Sequence, residues 1–150
     1  MNIQKLTIHD RELIRQCDDM FIDFLDSEGK YDENYLKREK INSFENDLNN
    51  ENNVLFVAKE QEKSIGFLYG YIEKRNAAKL PVAHLSFLYV NGEHRNKKIA
   101  TKLIDTFFEY LKSIDIQIVE VKSYDNNIAA KKLYEKYGFS VLWCNYRKNI

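Results

Sequence analysis

Between residues 10 and 26 the apolar residues Leu13, Ile14, Cys17, Met20, Phe21, Phe24 and Leu25 recur every three or four positions, the period of one helix face. The spacing predicts an amphipathic helix, broken by Ser27, Gly29 and Lys30, after a first strand over residues 2–8. Tyr35, Leu36, Ile41, Phe44 and Leu48 mark a second helix over 32–48, with Asp32 as its N-cap. Beyond the polar run ENDLNNENN the period changes to that of strands. VLFVAK (54–59) and IGFLYGYIE (65–73) flank the polar turn EQEK and read as a hairpin, and VAHLSFLYV (82–90) is a third strand in succession. A polar, basic turn, NGEHRNKK, leads into Ile99, Ala100, Leu103, Ile104, Phe107, Phe108 and Leu111, a long amphipathic helix. IQIVEVK (116–122) follows as a strand, residues 126–136 as a helix stopped by Gly138, and Phe139–Arg147 as a closing strand.

The order β-α-α-β-β-β-α-β-α-β combines an antiparallel segment with a parallel strand–helix–strand unit, whose crossover is expected to be right-handed. The fold class is therefore α/β: a mixed sheet with helices on both faces, in three layers. At 150 residues and 44% hydrophobic content, one domain spanning 1–150 is expected. Lys plus Arg equals Asp plus Glu at 23 each, so no global field favours nucleic acid or an anionic membrane. Cys17 and Cys144 lack metal or redox spacing, and His9, His84 and His94 do not cluster with them, so no metal is expected. The N-terminus lacks a signal-peptide pattern and no apolar run could span a bilayer, which reads as a soluble, cytoplasmic protein.

Chemistry concentrates in LYVNGEHRNKKIATKL, residues 88–103. A strand enters a turn carrying Arg95, Lys97 and Lys98, with Lys102 one turn into the helix that follows. The start of a helix offers unpaired N–H groups and a positive dipole end, so cations there are locally unfavourable unless an anion is expected. Charge alone leaves open whether this turn binds phosphate or is merely solvated. A second cluster, SYDNNIAAKKLYEKYGF (123–139), places Asn127 and Tyr134 seven residues apart, two turns along one helix face.

Val90, four residues, then Arg95-x-x-Lys98-x-Ala100 resembles the coenzyme A motif of the GCN5-related N-acetyltransferase (GNAT) family. Asn127, Ala129, Ala130, Tyr134, Gly138 and Phe139 resemble its C-terminal motif. In detail the resemblance covers about residues 82–139. It implies a centrally splayed sheet and acetyl-CoA as co-substrate, the pyrophosphate wrapped by backbone N–H groups of the loop. The cofactor contacts it implies are Leu88, Tyr89, Val90, Arg95, Asn96, Lys97, Lys98, Ile99, Ala100, Thr101, Asn127, Ala130 and Tyr134. The Tyr134 hydroxyl would be the general acid for the departing thiolate. A backbone N–H near Val90 would polarise the acetyl carbonyl. Lys98 stands where the family prefers Gly, which predicts a loop strained by positive φ.

By alternation, His84, Ser86, Leu88 and Val90 share a strand face. His84 occupies the position of the family's catalytic Glu in its histone-acetylating branch and is a candidate general base, with a structural histidine or an indirect water-relay role as the alternatives. Glu73 is a weaker candidate. Asp18, Asp19, Asp23, Asp26, Glu28, Asp32 and Glu33 crowd the first helix and its link onward, with Lys30 the only cation among them. The resembling family places this region beside the acceptor cleft, so Asp26, Glu28 and Tyr31 are candidate contacts for a cationic amine. The expected function is acetyl transfer from acetyl-CoA to a primary amine of a small molecule, peptide or protein, and a homodimer is compatible with it. The alternative is a GNAT-like module that binds coenzyme A or a partner without turnover.

Overall fold

A computed structural model describes residues 1–35, 43–74 and 79–150. Its strands are β1 (Asn2–Lys5), β2 (Asn53–Glu60), β3 (Lys63–Glu73), β4 (Val82–Val90) and β5 (Ile118–Val121). Its helices are α1 (Arg11–Ser27), α2 (Phe44–Asp47), α3 (Ile99–Ser113) and α4 (Ile128–Lys136). The five strands form one sheet in the order β1-β2-β3-β4-β5. The first three neighbouring pairs are antiparallel and β4–β5 is parallel, with α3 in the crossover.

The sheet separates two apolar clusters. On one side Leu13, Ile14, Cys17, Met20 and Phe21 of α1 pack with Phe44, Leu55, Val57, Phe67 and Tyr69. On the other, Ile99, Leu103, Ile104, Phe107 and Leu111 of α3 cover Val54, Phe56, Leu68, Ala83 and Leu85, with Leu133 and Tyr134 of α4 and its C-cap Tyr137 at the margin. Burying each of these large side chains stabilises the fold by about 1.5–3 kcal/mol. Gly70 permits the close approach of α3: a Cβ there would lie 2.9 Å from the Phe107 ring and 2.7 Å from the His84 carbonyl oxygen.

β4 and β5 pair only from Val82↔Ile118 to Leu85↔Val121; β4 then runs on to Val90 without that neighbour. This is the central splay. A bulge sits at the same place, because Tyr69 pairs with Phe87 and Gly70 with Leu85, leaving Ser86 unmatched. The extra residue flips the alternation. Leu85 before it and Leu88 and Val90 after it join the α3 cluster, while Phe87 and Tyr89 pack with the α1 cluster. His84, stacked on Tyr71, thus shares a face with Phe87 and Tyr89, and the common face expected for His84, Leu88 and Val90 is overturned.

Two expected elements differ. Among the described residues the second helix is only Phe44–Asp47, capped by Ser43, whose Oγ accepts from Glu45 N. Asp32 caps no helix; its Oδ1 accepts from Asn34 N at 3.0 Å in a local turn. The middle of the expected 32–48 helix, residues 36–42, lies outside the described residues. Phe139–Arg147 is not a strand, and residues 139–150 have no regular structure. Strand-forming side chains do not suffice without a ladder to join.

Candidate active site

The end of β4, the following loop and the start of α3 form a single turn of basic character. Asn91 N donates to Ile65 O at 2.9 Å, and a short 3-10 turn covers Gly92–His94. Arg95 folds back on the strand, with Nε donating to Val90 O at 3.1 Å and its guanidinium 5.7 Å from the Tyr89 ring centre. Asn96, Lys97 and Lys98 are exposed. Asn96 and Lys98 both have φ of +61°, and Lys98 is the N-cap of α3 without a side-chain cap bond. Its carbonyl accepts from Lys102 N at 3.0 Å, so the N–H groups of Ile99, Ala100 and Thr101 stand ahead of the first intrahelical bond. No acidic residue lies in that first turn. Cations of the loop and open N–H groups at a first turn without carboxylates suit an anion such as phosphate.

A non-glycine residue in the left-handed region costs about 1–2 kcal/mol. Lys98→Gly relieves that strain but frees the unfolded chain as well. The net expectation is a gain of about 0.5–1 kcal/mol, seen as a higher urea midpoint of the protein without cofactor. A midpoint at or below that of the parent chain would contradict the strain.

On α4, Asn127 is the N-cap, and its Oδ1 accepts from Ala130 N at 3.2 Å. That oxygen is committed to the helix, which leaves the Nδ2 group for a ligand. As a cap, Asn127 lies outside the helical run, so the two-turn spacing does not set its direction relative to Tyr134. Tyr134 packs against the α3 cluster and edge-on to Phe139, with ring centres 5.6 Å apart. Burial pushes its hydroxyl up to about 12. Among the described residues that hydroxyl has no hydrogen-bond partner. Tyr137 is structural: its hydroxyl bridges to Thr101 O at 3.0 Å and Asp105 Oδ1 at 2.7 Å, tying α4 to α3.

On the α1 face, His84 Nε2 lies 2.7 Å from Glu73 Oε2, and the imidazole stacks on Tyr71 with ring centres 4.6 Å apart. If Nε2–H donates to this carboxylate, Nδ1 is the basic nitrogen. The two candidate bases are thus one dyad, joined because β3 and β4 pair Tyr71↔His84 and Glu73↔Val82.

The acidic run separates into distinct tasks. Asp18 accepts from Ser43 Oγ at 2.5 Å and Phe44 N at 3.0 Å, tying α1 to α2. Asp19 meets Arg15 at 3.0 Å, and Arg147 Nη1 donates to Asp32 at 2.7 Å. Glu28 is half-buried, and burial raises its pKa against the opposing effect of a Tyr124 hydroxyl bond. Tyr31 stacks on Tyr124 with ring centres 5.9 Å apart, and Asn126 Nδ2 donates to Tyr31 O at 3.2 Å. Glu28 and Tyr31 therefore meet beyond the end of β5, whereas Asp26 is exposed. Tyr124 and Arg147 were missed by sequence reasoning, because only the fold brings chain segments about a hundred residues apart together. A hollow of about 400 Å³ beside Met1–Ile3, Lys102, Asp105 and Thr106 holds none of the candidate residues. Among the described residues no group of His, Cys, Asp or Glu could hold a metal, and no helix is long and apolar enough to cross a membrane.

The family model described as Acetyltransferase (GNAT) family matches residues 17–139. No curated protein matches the chain significantly. Among solved structures, an aminoglycoside acetyltransferase, meta-AAC0020, from an uncultured soil metagenomic sample in complex with sisomicin is similar with a TM-score of 0.81. It is 18% identical, over 99% of this chain and 95% of that one. Ribosomal-protein-alanine N-acetyltransferase from Brucella melitensis biovar Abortus 2308 is similar with a TM-score of 0.70 and 19% identity, over 99% and 98% of the two chains. A tetramutant of the BH1408 protein from Bacillus halodurans gives 0.79 and 17%, over 100% of both chains. At these identities the likeness shows the fold.

Proposed function

We propose, from the premise that this chain belongs to the GNAT family and is an acetyl-CoA-dependent acetyltransferase, that it acetylates a cationic primary amine by direct attack. The observation that carries the reading is the splayed end of β4 leading into a basic loop and an uncapped helix start, with the uncommitted Tyr134 hydroxyl on α4. Backbone N–H groups of Ile99, Ala100 and Thr101, with the cations of Arg95, Lys97 and Lys98, would hold the pyrophosphate. Leu88, Tyr89 and Val90 would border the pantetheine arm in the splay, beside Asn127, Ala130 and Tyr134. Acetyl-CoA supplies the activated thioester; this chain's residues position it and manage protons.

A lysine-like amine has a pKa of about 10.4, so roughly one molecule in a few thousand is neutral at pH 7. His84, oriented by Glu73, accepts the surplus proton, directly or through water. The Tyr134 hydroxyl faces the departing sulfur. Glu28 and Tyr31, with Asp26 at the helix end, attract and orient the cationic acceptor. The aminoglycoside and ribosomal-protein enzymes of similar fold support an amine acceptor.

The direct test mixes the protein with acetyl-CoA and a panel of polyamines, aminosugars and lysine peptides, and follows release of free thiol. Thermal stabilisation by acetyl-CoA without thiol release from any amine would favour a non-catalytic binding module. Arg95→Glu is expected to weaken acetyl-CoA binding at least tenfold, about 1.4 kcal/mol, by calorimetry. An unchanged affinity removes the loop from the cofactor site. The double change Asp26→Asn with Glu28→Gln is expected to raise the amine KM and flatten its salt dependence, leaving the acetyl-CoA KM alone. Preference for neutral or anionic acceptors across the panel would defeat the cationic reading.

A further inference from the structure

Ring pairs follow one another across β3 and β4 on the α1 face. Phe67 meets Tyr89 with ring centres 6.1 Å apart, Tyr69 meets Phe87 at 5.7 Å, and Tyr71 meets His84 at 4.6 Å. Each couple is directly paired in the register, where facing side chains interact most strongly. The bulge makes the row continuous. Strict alternation from His84 would send Phe87 to the α3 side, and the unmatched Ser86 turns Phe87 and Tyr89 to the side of His84 instead. The row therefore runs from the cofactor loop, where the Arg95 guanidinium lies 5.7 Å from the Tyr89 ring centre, to the His84–Glu73 dyad.

Helix α1 seals only part of this row. Phe67 and Tyr69 are buried, and Phe21 and Phe24 approach the Phe87 ring at 4.7 and 5.3 Å. Phe24, Phe87 and Tyr89 stay partly exposed, and Tyr71 is 37% exposed. β5 leaves β4 after Leu85, so Phe87 and Tyr89 border the splay. Carboxylates flank the row at both ends. Glu73 stands at His84, and the Tyr89 hydroxyl is raised above the ordinary phenol value by burial first and by Asp23 second. Arg95 offsets Asp23 at the cofactor end, which leaves the dyad end to attract a cation.

We propose that this row recognises the acceptor, and that the acceptor is a small primary amine on an alkyl or arylalkyl stem, not a polyhydroxylated aminosugar. The inference rests on the reading of this chain as an amine acetyltransferase and narrows it. A hydrocarbon stem laid on the rings removes apolar surface of both partners from water. The ammonium it carries is attracted by ring faces and by Glu73. The hydroxyls of an aminosugar would lose water against Phe24 and Phe87, which offer them no hydrogen bond in return. The row lies beside the base, so a stem held along it keeps the amine within reach of His84.

The test measures the amine kcat/KM at saturating acetyl-CoA for propylamine through heptylamine, phenethylamine, glucosamine and galactosamine, each corrected for its neutral fraction at the assay pH. The expected result is a rise of about two- to fourfold per added methylene, with hexylamine and phenethylamine preferred at least about tenfold over either aminosugar. Phe24→Gln, at a partly exposed position, should cut the gain from propylamine to heptylamine at least about tenfold, and Phe24→Leu should recover most of it. A flat alkylamine series, or aminosugars used as well as hexylamine, overturns the proposal and leaves amine acetylation standing. Thiol release with no amine removes both. If Phe24→Gln instead changes the preference between acetyl-CoA and hexanoyl-CoA and leaves the amine series as it was, the row holds the acyl chain and the proposal is overturned.

Discussion

Tyr134→Phe is expected to lower kcat by about 10²–10³-fold, the usual effect of removing one preorganised donor from a developing anion. The acetyl-CoA KM should change little, because the ring keeps its packing against the α3 cluster and Phe139. The size follows from the acidity of the two partners. A thiol has a pKa of about 8.5, whereas burial holds Tyr134 at about 12. The phenol therefore remains protonated across the working range and stabilises the departing sulfur by a hydrogen bond more than by complete proton transfer. Two pH results follow. No fall in kcat below about pH 10 should trace to Tyr134, so any alkaline limb should persist in Tyr134→Phe. For stability, a folded pKa above the unfolded value near 10 means the contribution is intact below pH 10 and is lost as pH rises from 10 through 12. Single-turnover kinetics check the assignment. A chemical step within twofold of the parent enzyme would take Tyr134 out of the mechanism.

His84→Ala is expected to reduce kcat/KM at neutral pH by about 10²–10⁴-fold and to flatten the acidic limb of its pH profile. The imidazole is held on two sides, by Glu73 at 2.7 Å and by the Tyr71 ring. Glu73 is thus a positioning residue. Glu73→Gln should cost less than His84→Ala, and Glu73→Asp should recover part of the loss while the acidic limb stays. A free amine acceptor of low pKa, largely neutral at the assay pH, should depend on His84 far less than a lysine-like amine does. Equal losses for both acceptors, or an unaltered acidic limb in His84→Ala, would assign the base elsewhere.

The order of strands and helices was legible because each core element repeats its apolar residues at its own period. Leu13 to Phe21 and Leu103 to Leu111 could bury one face only as helices, and β2, β3 and β4 are too rich in branched and aromatic residues to be otherwise. The basic loop was legible for the same reason of locality: Arg95, Lys97, Lys98 and the helix they open are neighbours in the chain. The strain at Lys98 could also be anticipated, since a lysine stands where glycine is preferred, and its φ is +61°.

Tertiary structure decided what alternation and propensity cannot encode. The bulge at Ser86 arises from the match between β3 and β4, and by inserting one residue it moves His84 to the α1 face, where it meets Glu73. Phe139–Arg147 has the composition of a strand, but a strand exists only where an edge receives it, and none of the described strands pairs with it. The acidic run reads as one patch in the sequence, yet Asp18 went to bind α2, Asp32 to Arg147, and Glu28 to a half-buried place beside Tyr124. A charge close by in sequence acts through whatever the fold sets against it, and that partner here is often about a hundred residues away.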